Sequence, residues 1–418
     1  MKQIIVEGNN VLSGNILIGG AKNSAVALIP AAILSDDIVK IDNVPDISDI
    51  DALNEILRYL EAEVGETDGI MEINSKNIKN KPIPEEISKK LRASYYFMSA
   101  LLGRFKKVEM YFPGGCSIGA RPIDQTLKAY KAMGALVEEY GNKYIITADE
   151  LIGSHVYLDM PSVGATVNTM LVAVKAKGTT IIENAAKEPE IVNIATFLNN
   201  MGAKITGAGT SEIVIKGVSY LGKAYIEVIP DRIEAGTYLI AGALIGNNLR
   251  ICNVIPEHID ALTLKLKEMG FKLDIGVDYV GVSAKDRIKP VRVKTLGYPG
   301  FATDLQQPLT TLLTQCDGIS ILEETIYENR FKNIEFLNAM GANIEKIDNR
   351  NIKINGPSHL SGCVVEATDL RAGACLVLAA LKANGVTYIK EIEHVLRGYE
   401  NIVEKLRAVG AKIQIEDY

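Results

Sequence analysis

Met201-Gly202-Ala203-Lys204-Ile205 reads as an apolar helix tail, a glycine stop and the opening of a strand. The pattern recurs as Leu60-Glu61-Ala62-Glu63-Val64, Met133-Gly134-Ala135-Leu136-Val137, Met269-Gly270-Phe271-Lys272-Leu273, Met340-Gly341-Ala342-Asn343-Ile344 and Val409-Gly410-Ala411-Lys412-Ile413. The five glycines, Gly134, Gly202, Gly270, Gly341 and Gly410, stand 68, 68, 71 and 69 residues apart. One unit of about seventy residues is therefore used six times, and function has to be read within it.

Each unit opens with a helix that is apolar almost all round, at 24–34, 93–102, 165–176, 235–245, 308–316 and 372–383. A helix with no polar face is a buried helix. A short strand follows, at 40–41, 108–110, 180–182, 249–251, 319–322 and 387–389, and then an amphipathic helix such as 190–201. Strands with polar alternation, as at 212–216 and 224–228, close the unit. The expected class is α/β with helices inside and sheets outside.

The sixth unit stops at 412–415 without its closing strands, while an unpartnered hairpin, 3–6 with 14–18, precedes the first helix. The N-terminus is expected to complete the last unit. That predicts one domain over 21–229 and a second over 1–20 plus 230–418, three units in each.

Length of 418 residues fits two domains, and 47% hydrophobic with 23% charged residues is an ordinary globular composition. A net charge of −6, with no long Lys/Arg block, argues against a nucleic-acid partner. The start lacks the apolar core of a signal peptide, and the longest apolar run, 25–34, is too short for a bilayer, which predicts a cytoplasmic protein without membrane insertion.

The unusual polar residues collect at the starts of the six buried helices. They are Gly20-Ala21-Lys22-Asn23, Leu91-Arg92-Ala93-Ser94, Ser162-Val163-Gly164-Ala165, Asp231-Arg232-Ile233-Glu234, Thr303-Asp304-Leu305-Gln306 and Thr368-Asp369-Leu370-Arg371. Free N–H groups and helix dipoles favour anions there. Ser162, Asp231, Thr303 and Thr368 read as N-caps, but caps do not account for Lys22, Arg92 and Arg371, which predict an anion site between the domains. Gly19-Gly20-Ala21-Lys22-Asn23 does not fit a phosphate loop, so ATP binding is not expected.

Acids at the starts of the second helices, including the stretch 46–51, read as dipole and capping residues rather than metal ligands. His155, His258, His359 and His394 lack ligand spacing, and no metal is expected. Cys252, Cys316, Cys363 and Cys375 lie in apolar patterns and read as buried thiols. Cys116 differs, because Pro113-Gly114-Gly115-Cys116-Ser117-Ile118-Gly119-Ala120-Arg121 reads as a glycine-rich lid. A thiol near Arg121 and a helix start has a lowered pKa, as an acid, nucleophile or alkylation target requires.

Together, Gly20-Ala21-Lys22-Asn23-Ser24, Pro113-Gly114-Gly115-Cys116, Arg121-Pro122-Ile123-Asp124, Glu188-Pro189-Glu190, Thr303-Asp304-Leu305-Gln306 and Arg397-Gly398-Tyr399-Glu400 closely resemble the UDP-N-acetylglucosamine enolpyruvyl transferases that open peptidoglycan synthesis. The resemblance spans essentially the whole chain. It implies a two-domain inside-out α/β barrel of six repeats, with the active site in the cleft between the domains. It also implies transfer of the enolpyruvyl group of phosphoenolpyruvate to the 3-hydroxyl of UDP-N-acetylglucosamine through a tetrahedral ketal that loses phosphate, with no cofactor. The expected partners are these two small molecules, in a monomer or weak homo-oligomer.

Carried over by position, Lys22, Arg121 and Arg397 hold phosphoenolpyruvate, with Arg92 and Arg371 nearby. Cys116 is the acid, adduct-forming thiol or release gate, and Asp304 the base or orienting group on the hydroxyl. Asn23, Arg121, Pro122, Ile123, Asp124, Gln125, Ser162, Val163, Gly164, Thr303, Asp304 and Ile326 contact the nucleotide sugar. Met160 departs from the pattern, since some relatives place a basic residue there. The competing readings are a transferase acting on shikimate 3-phosphate, a non-catalytic ring-like scaffold and a regulatory duplicate. The cysteine loop and Arg121-Pro122-Ile123-Asp124 speak against the first, and basic residues confined to helix starts against the second. Cys116→Ala is expected to block turnover or product release, and fosfomycin, an epoxide mimic of phosphoenolpyruvate, to inactivate the unsubstituted chain by alkylating Cys116. A phosphate-release assay checks both, and full activity in Cys116→Ala refutes the assignment.

Overall fold

The computed structural model describes residues 2–111 and 123–417. These form two compact units, one of residues 2–19 with 230–417 and the other of residues 20–111 with 123–229. Each holds its own hydrophobic core and three β-sheets.

The glycine motif ends each amphipathic helix in the same way. Gly134, Gly202, Gly270, Gly341 and Gly410 take φ between 92° and 108°, the left-handed region that glycine enters without a Cβ penalty. Each donates its N–H three residues back, and the next residue donates five back, as in Gly202 to Asn199 at 2.9 Å and Ala203 to Leu198 at 3.0 Å. This double bond satisfies the last helical carbonyls and turns the chain into the strand. Glu61 occupies the position in the first repeat at φ 67° with the same two bonds, Glu61 to Arg58 and Ala62 to Leu57.

In the unit of residues 20–229 the helices Lys22–Ala32, Tyr95–Phe105 and Val163–Ala173 lie in the core, with nine buried residues each. The strand after each helix (Ile38–Asp42, Lys107–Tyr111, Thr179–Glu183) is internal or edge in its own sheet and pairs antiparallel with a later strand. Strands from elsewhere in the unit are added in parallel. Ala224–Glu227 lies on Ile38–Asp42, and His155–Tyr157 on Thr179–Glu183, while Ile83 makes a single bridge to Met110.

The other unit repeats this with the buried helices Arg232–Ile245, Gln306–Leu313 and Leu370–Lys382. Arg292–Lys294 lies parallel to Gly318–Glu323, and Val364–Glu366 parallel to Val386–Lys390. The expected N-terminal hairpin does not form. Lys2–Glu7 instead runs antiparallel between Val386–Lys390 and Lys412–Asp417, and Leu12–Leu17 joins a different sheet, parallel to Gly246–Cys252. The link between them is drawn off by other partners, Gly8 N–H to Gly385 O and Asn9 N–H to Leu381 O. A Cβ on Gly8 would stand 1.9 Å from the Ala383 carbonyl oxygen, so the close approach requires glycine.

Five buried helices begin two or three residues before their apolar pattern, for example at Lys22 rather than 24 and at Val163 rather than 165. Near 93 the first turn is a 3-10 turn, Arg92–Ser94, before Tyr95–Phe105. Apolar periodicity misses polar residues in a first turn, and those residues are the candidates for chemistry. Among the described residues no helix is long and apolar enough to cross a membrane.

Glu234, in the first turn of Arg232–Ile245, is buried; its carboxylate accepts the Gly19 N–H at 3.1 Å and pairs with Lys405 at 2.6 Å. Burial pushes its pKa up to about 7, with Lys405 opposing and Asp231 adding to the rise. An acid whose folded pKa is raised contributes stability below its unfolded pKa that is lost as pH climbs through the folded value. Glu234→Gln removes this titration, so its stability relative to the unsubstituted chain is expected to rise between about pH 4.5 and about pH 7 and then level off. Denaturant midpoints of the two chains across that range check this, and a constant difference refutes it.

Candidate active site

In the unit of residues 20–229, Lys22 and Asn23 open the first buried helix. Lys22 pairs with Asp49 at 2.7 Å, the two side chains being 13% and 3% exposed. Asp49 and Asp51 stand in the first turn of the helix Ser48–Tyr59, where the dipole reading put them, although Ile47 at the cap position makes no side-chain bond. The buried carboxylate of Asp49 also fixes the ammonium of Lys22. A lysine tethered this way has few rotamers left, which orients its ammonium.

Arg92 lies with its guanidinium 5.8 Å from the centroid of the Tyr95 ring, which stacks on Tyr96 at 4.7 Å. Gly164 sits beneath the same tyrosine, where a Cβ would come 1.7 Å from the Tyr95 hydroxyl oxygen. Glycine is thus demanded at 164 by packing against Tyr95. Ser162 is the N-cap that the sequence suggested, accepting the Ala165 N–H at 3.2 Å. Ile123 is buried before the helix Asp124–Ala132, Asp124 is exposed in its first turn, and Gln125 accepts the Met160 N–H at 3.4 Å. Met160 itself is 56% exposed. Cys116, its lid segment, Arg121 and Pro122 lie outside the described residues.

The other unit contains an arginine–carboxylate cluster. Asp304, in the 3-10 turn Thr303–Leu305, receives Arg330 on Oδ1 at 2.7 Å and Arg371 on Oδ2 at 3.0 Å. Arg330 is 3% and Arg371 4% exposed, against 24% for Asp304. Burial alone would raise the Asp304 pKa, but the guanidiniums of Arg371 and Arg330 more than reverse this and hold the carboxyl well below the usual range. Held so, Asp304 is a weak base, and the arrangement suits the orienting role over the proton-accepting one.

Arg371 was expected as a cation beside phosphoenolpyruvate, and here its bond is to Asp304, with its guanidinium also 5.3 Å from the Tyr399 ring centroid. The Tyr399 hydroxyl meets Thr237 at 2.9 Å. Arg397 is half-buried just after the short helix Glu393–Leu396. Two of the expected caps are corrected. Thr303 donates its hydroxyl to Glu324 and accepts from Arg330, each at 2.8 Å, and the cap of Leu370–Lys382 is Asp369, not Thr368. Asp231 caps its helix as expected.

Arg330, Glu324, Asp49 and Tyr95 are the residues that sequence reasoning missed as parts of these groupings. Arg330 lies in the loop ahead of the helix Asn333–Ala339, and only the position of Asp304 in space shows why it is buried. Its one discoverable signal was the adjacent Phe331, a buried apolar residue in the same loop. Ile326, the remaining expected contact, is partly exposed in the loop after Gly318–Glu323, and its amide is held by Glu324 at 2.8 Å.

A family model described as EPSP synthase (3-phosphoshikimate 1-carboxyvinyltransferase) matches residues 6–406. A UDP-N-acetylglucosamine 1-carboxyvinyltransferase 2 of Bacillus cereus is 50% identical over 415 residues, 99% of this chain and 96% of that protein. The protein of the same name from Listeria monocytogenes is 51% identical over 411 residues, covering 98% and 97%. Among solved structures, the enolpyruvyl transferase NikO from Streptomyces tendae superposes with a TM-score of 0.90 at 27% identity, covering 99% of this chain and 98% of that one. An EPSP synthase from Acinetobacter baumannii shares the fold, with a TM-score of 0.75 at 18% identity and complete coverage of both chains. Matches that run nearly end to end place this chain in the EPSP synthase family of enolpyruvyl transferases.

Proposed function

We propose that this chain transfers the enolpyruvyl group of phosphoenolpyruvate to the 3-hydroxyl of UDP-N-acetylglucosamine, releasing phosphate, in the first committed step of peptidoglycan synthesis. The observation that carries this is the identity of about one residue in two, over almost the full length of both chains, with proteins named for that reaction. The fold proposed with it is the inside-out α/β barrel with three repeats per unit. It is supported by helices that are buried on every side and sheets whose strands alternate buried and exposed, as in Glu212–Lys216. The proposed setting is the cytoplasm, and the proposed form a monomer or weak homo-oligomer.

The chemistry needs the sugar oxygen to bond to C2 of phosphoenolpyruvate while the methylene carbon takes a proton. The resulting ketal then loses that methyl proton and, with cleavage of its C–O bond, phosphate. Cations must hold a phosphate and a carboxylate throughout. Lys22, fixed by Asp49, serves that end with Arg121 and Arg397, and Arg92 lies at the start of a neighbouring helix. Asp304 orients the acceptor hydroxyl, Cys116 supplies the acid or gating thiol, and Asn23, the 121–125 segment, Ser162, Val163, Gly164, Thr303 and Ile326 contact the nucleotide sugar. Arg371 acts here by holding Asp304. The residues called on come from both units.

Substitution of Asp304 has a structural side effect that the clamp makes quantitative. Removing its carboxylate takes away the counter-charge to which both Arg330 and Arg371 bond, a loss of about 3–5 kcal/mol for a broken buried pair. Asp304→Ala is therefore expected to lose turnover and stability together, while Asp304→Asn keeps the shape and loses turnover with a smaller drop in unfolding midpoint. Kinetics and thermal unfolding of the two variants test this, and normal turnover in Asp304→Asn removes the carboxylate from the mechanism.

Because the matching family model carries the name of the shikimate-type enzyme, the acceptor is tested directly. Phosphate release from phosphoenolpyruvate is expected with UDP-N-acetylglucosamine and absent with shikimate 3-phosphate. Release with shikimate 3-phosphate alone would reverse the assignment.

A further inference from the structure

Glu324 follows the strand Gly318–Glu323 and is fully buried. Its Oε2 accepts the Thr303 hydroxyl at 2.8 Å. Its Oε1 accepts the Thr295 hydroxyl at 3.0 Å and the amides of Ile326 and Tyr327 at 2.8 and 3.1 Å. All four are neutral donors. A carboxylate buried with neutral partners is costly, and a loop needing only a seal would be served as well by an uncharged side chain.

The directions of the bonds show what the carboxylate adds. A guanidinium can only donate, so the Thr303 oxygen accepts from Arg330 Nη1 at 2.8 Å. The single hydroxyl hydrogen of Thr303 is then committed to Glu324, which accepts it. The same Arg330 donates its Nη2 to Asp304 at 2.7 Å. The order from Glu324 to Thr303 to Arg330 to Asp304 is thus a chain in which each bond fixes the polarity of the next. From the opposite oxygen, the same carboxylate anchors the backbone of Ile326. Thr295, just after the strand Arg292–Lys294, is tied in as well, accepting the Thr325 N–H on Oγ1 at 2.9 Å.

We propose that Glu324 is a positioning residue of the transfer reaction, setting Asp304 through Thr303 and Arg330 while holding the Ile326 loop against the acceptor. The proposal rests on the enolpyruvyl-transfer reading above. A glutamine at 324 presents a donor to Thr303, whose oxygen would then face two donors and whose hydrogen must turn away, so one link of the chain is reversed at nearly constant volume.

The test is steady-state kinetics of Glu324→Gln, Thr303→Val and the double variant, with phosphoenolpyruvate and UDP-N-acetylglucosamine. Displacing an orienting group by a fraction of an ångström to an ångström costs on the order of tenfold to a hundredfold in rate. Glu324→Gln is expected to lower kcat by about tenfold or more while KM for phosphoenolpyruvate stays within about twofold, a split that general loosening of the fold does not produce. The double variant is expected to be no slower than the slower single one, because both cut the same chain. Thr303→Ser, which keeps the hydroxyl, should recover about tenfold or more of the kcat lost in Thr303→Val. An unchanged kcat in Glu324→Gln, or losses that multiply in the double variant, overturns the proposal. If Glu324→Gln does not fold by circular dichroism, the serine and valine variants decide, and equal turnover in the two overturns it. Absence of turnover in the unsubstituted chain takes down the functional reading and this proposal together, whereas normal turnover there with an unaffected Glu324→Gln takes down this one alone.

Discussion

Burial of helices that have no polar face governs everything else in this molecule. Such a helix must be covered along its whole length, which the sheets and neighbouring helices of each unit do. Only its ends escape. The first turn, with backbone N–H groups lacking intrahelical partners, accommodates charged side chains, whereas polar groups farther in, such as Ser99 and Asn168, are neutral and bond to one another. Lys22, Asn23, Gly164, Glu234 and Arg371 all occupy that turn, and Asp304 the 3-10 turn that leads into one. The candidate charged groups collect at helix starts because the packing excludes charge from the middle of these helices.

That constraint also explains which features could be read from the chain alone. Helix stops were legible because a glycine at positive φ followed by a small or apolar residue is a local signal, and the bonds Gly202 to Asn199 and Ala203 to Leu198 are local too. The buried helices were legible because an all-apolar run of about ten residues has one stable environment. Strand pairings were not. Nothing between residues 3 and 18 distinguishes a hairpin from two strands that part into different sheets, since the deciding partners lie near Gly385 and Val409.

The candidate groupings were legible in some of their residues and obscure in their bonds. Lys22, Asp304 and Arg371 stood out as polar residues at apolar helix starts, yet their partners are about 25 to 70 residues distant. Asp49 sits at the start of the second helix, Arg330 ahead of another, and Glu324 at the end of a strand. Ion pairs made across such separations leave no periodicity and no spacing. The same blindness misassigned Thr303 as a cap, because a hydroxyl before a helix looks alike whether it accepts an amide or links a carboxylate to a guanidinium.

The strand Lys2–Glu7, between Val386–Lys390 and Lys412–Asp417, bears on how the chain is made. During synthesis Lys2–Glu7 emerges long before its two neighbours at 386–390 and 412–417. For most of translation its Ile4 and Val6, fully buried in the finished sheet, have no partner to cover them. The unit of residues 20–229, drawing on no later part of the chain for its sheets, can close while the ribosome is still working. The other unit cannot complete its sheet until residues 386–390 and 412–417 have been made, and its apolar segment stays uncovered until they arrive.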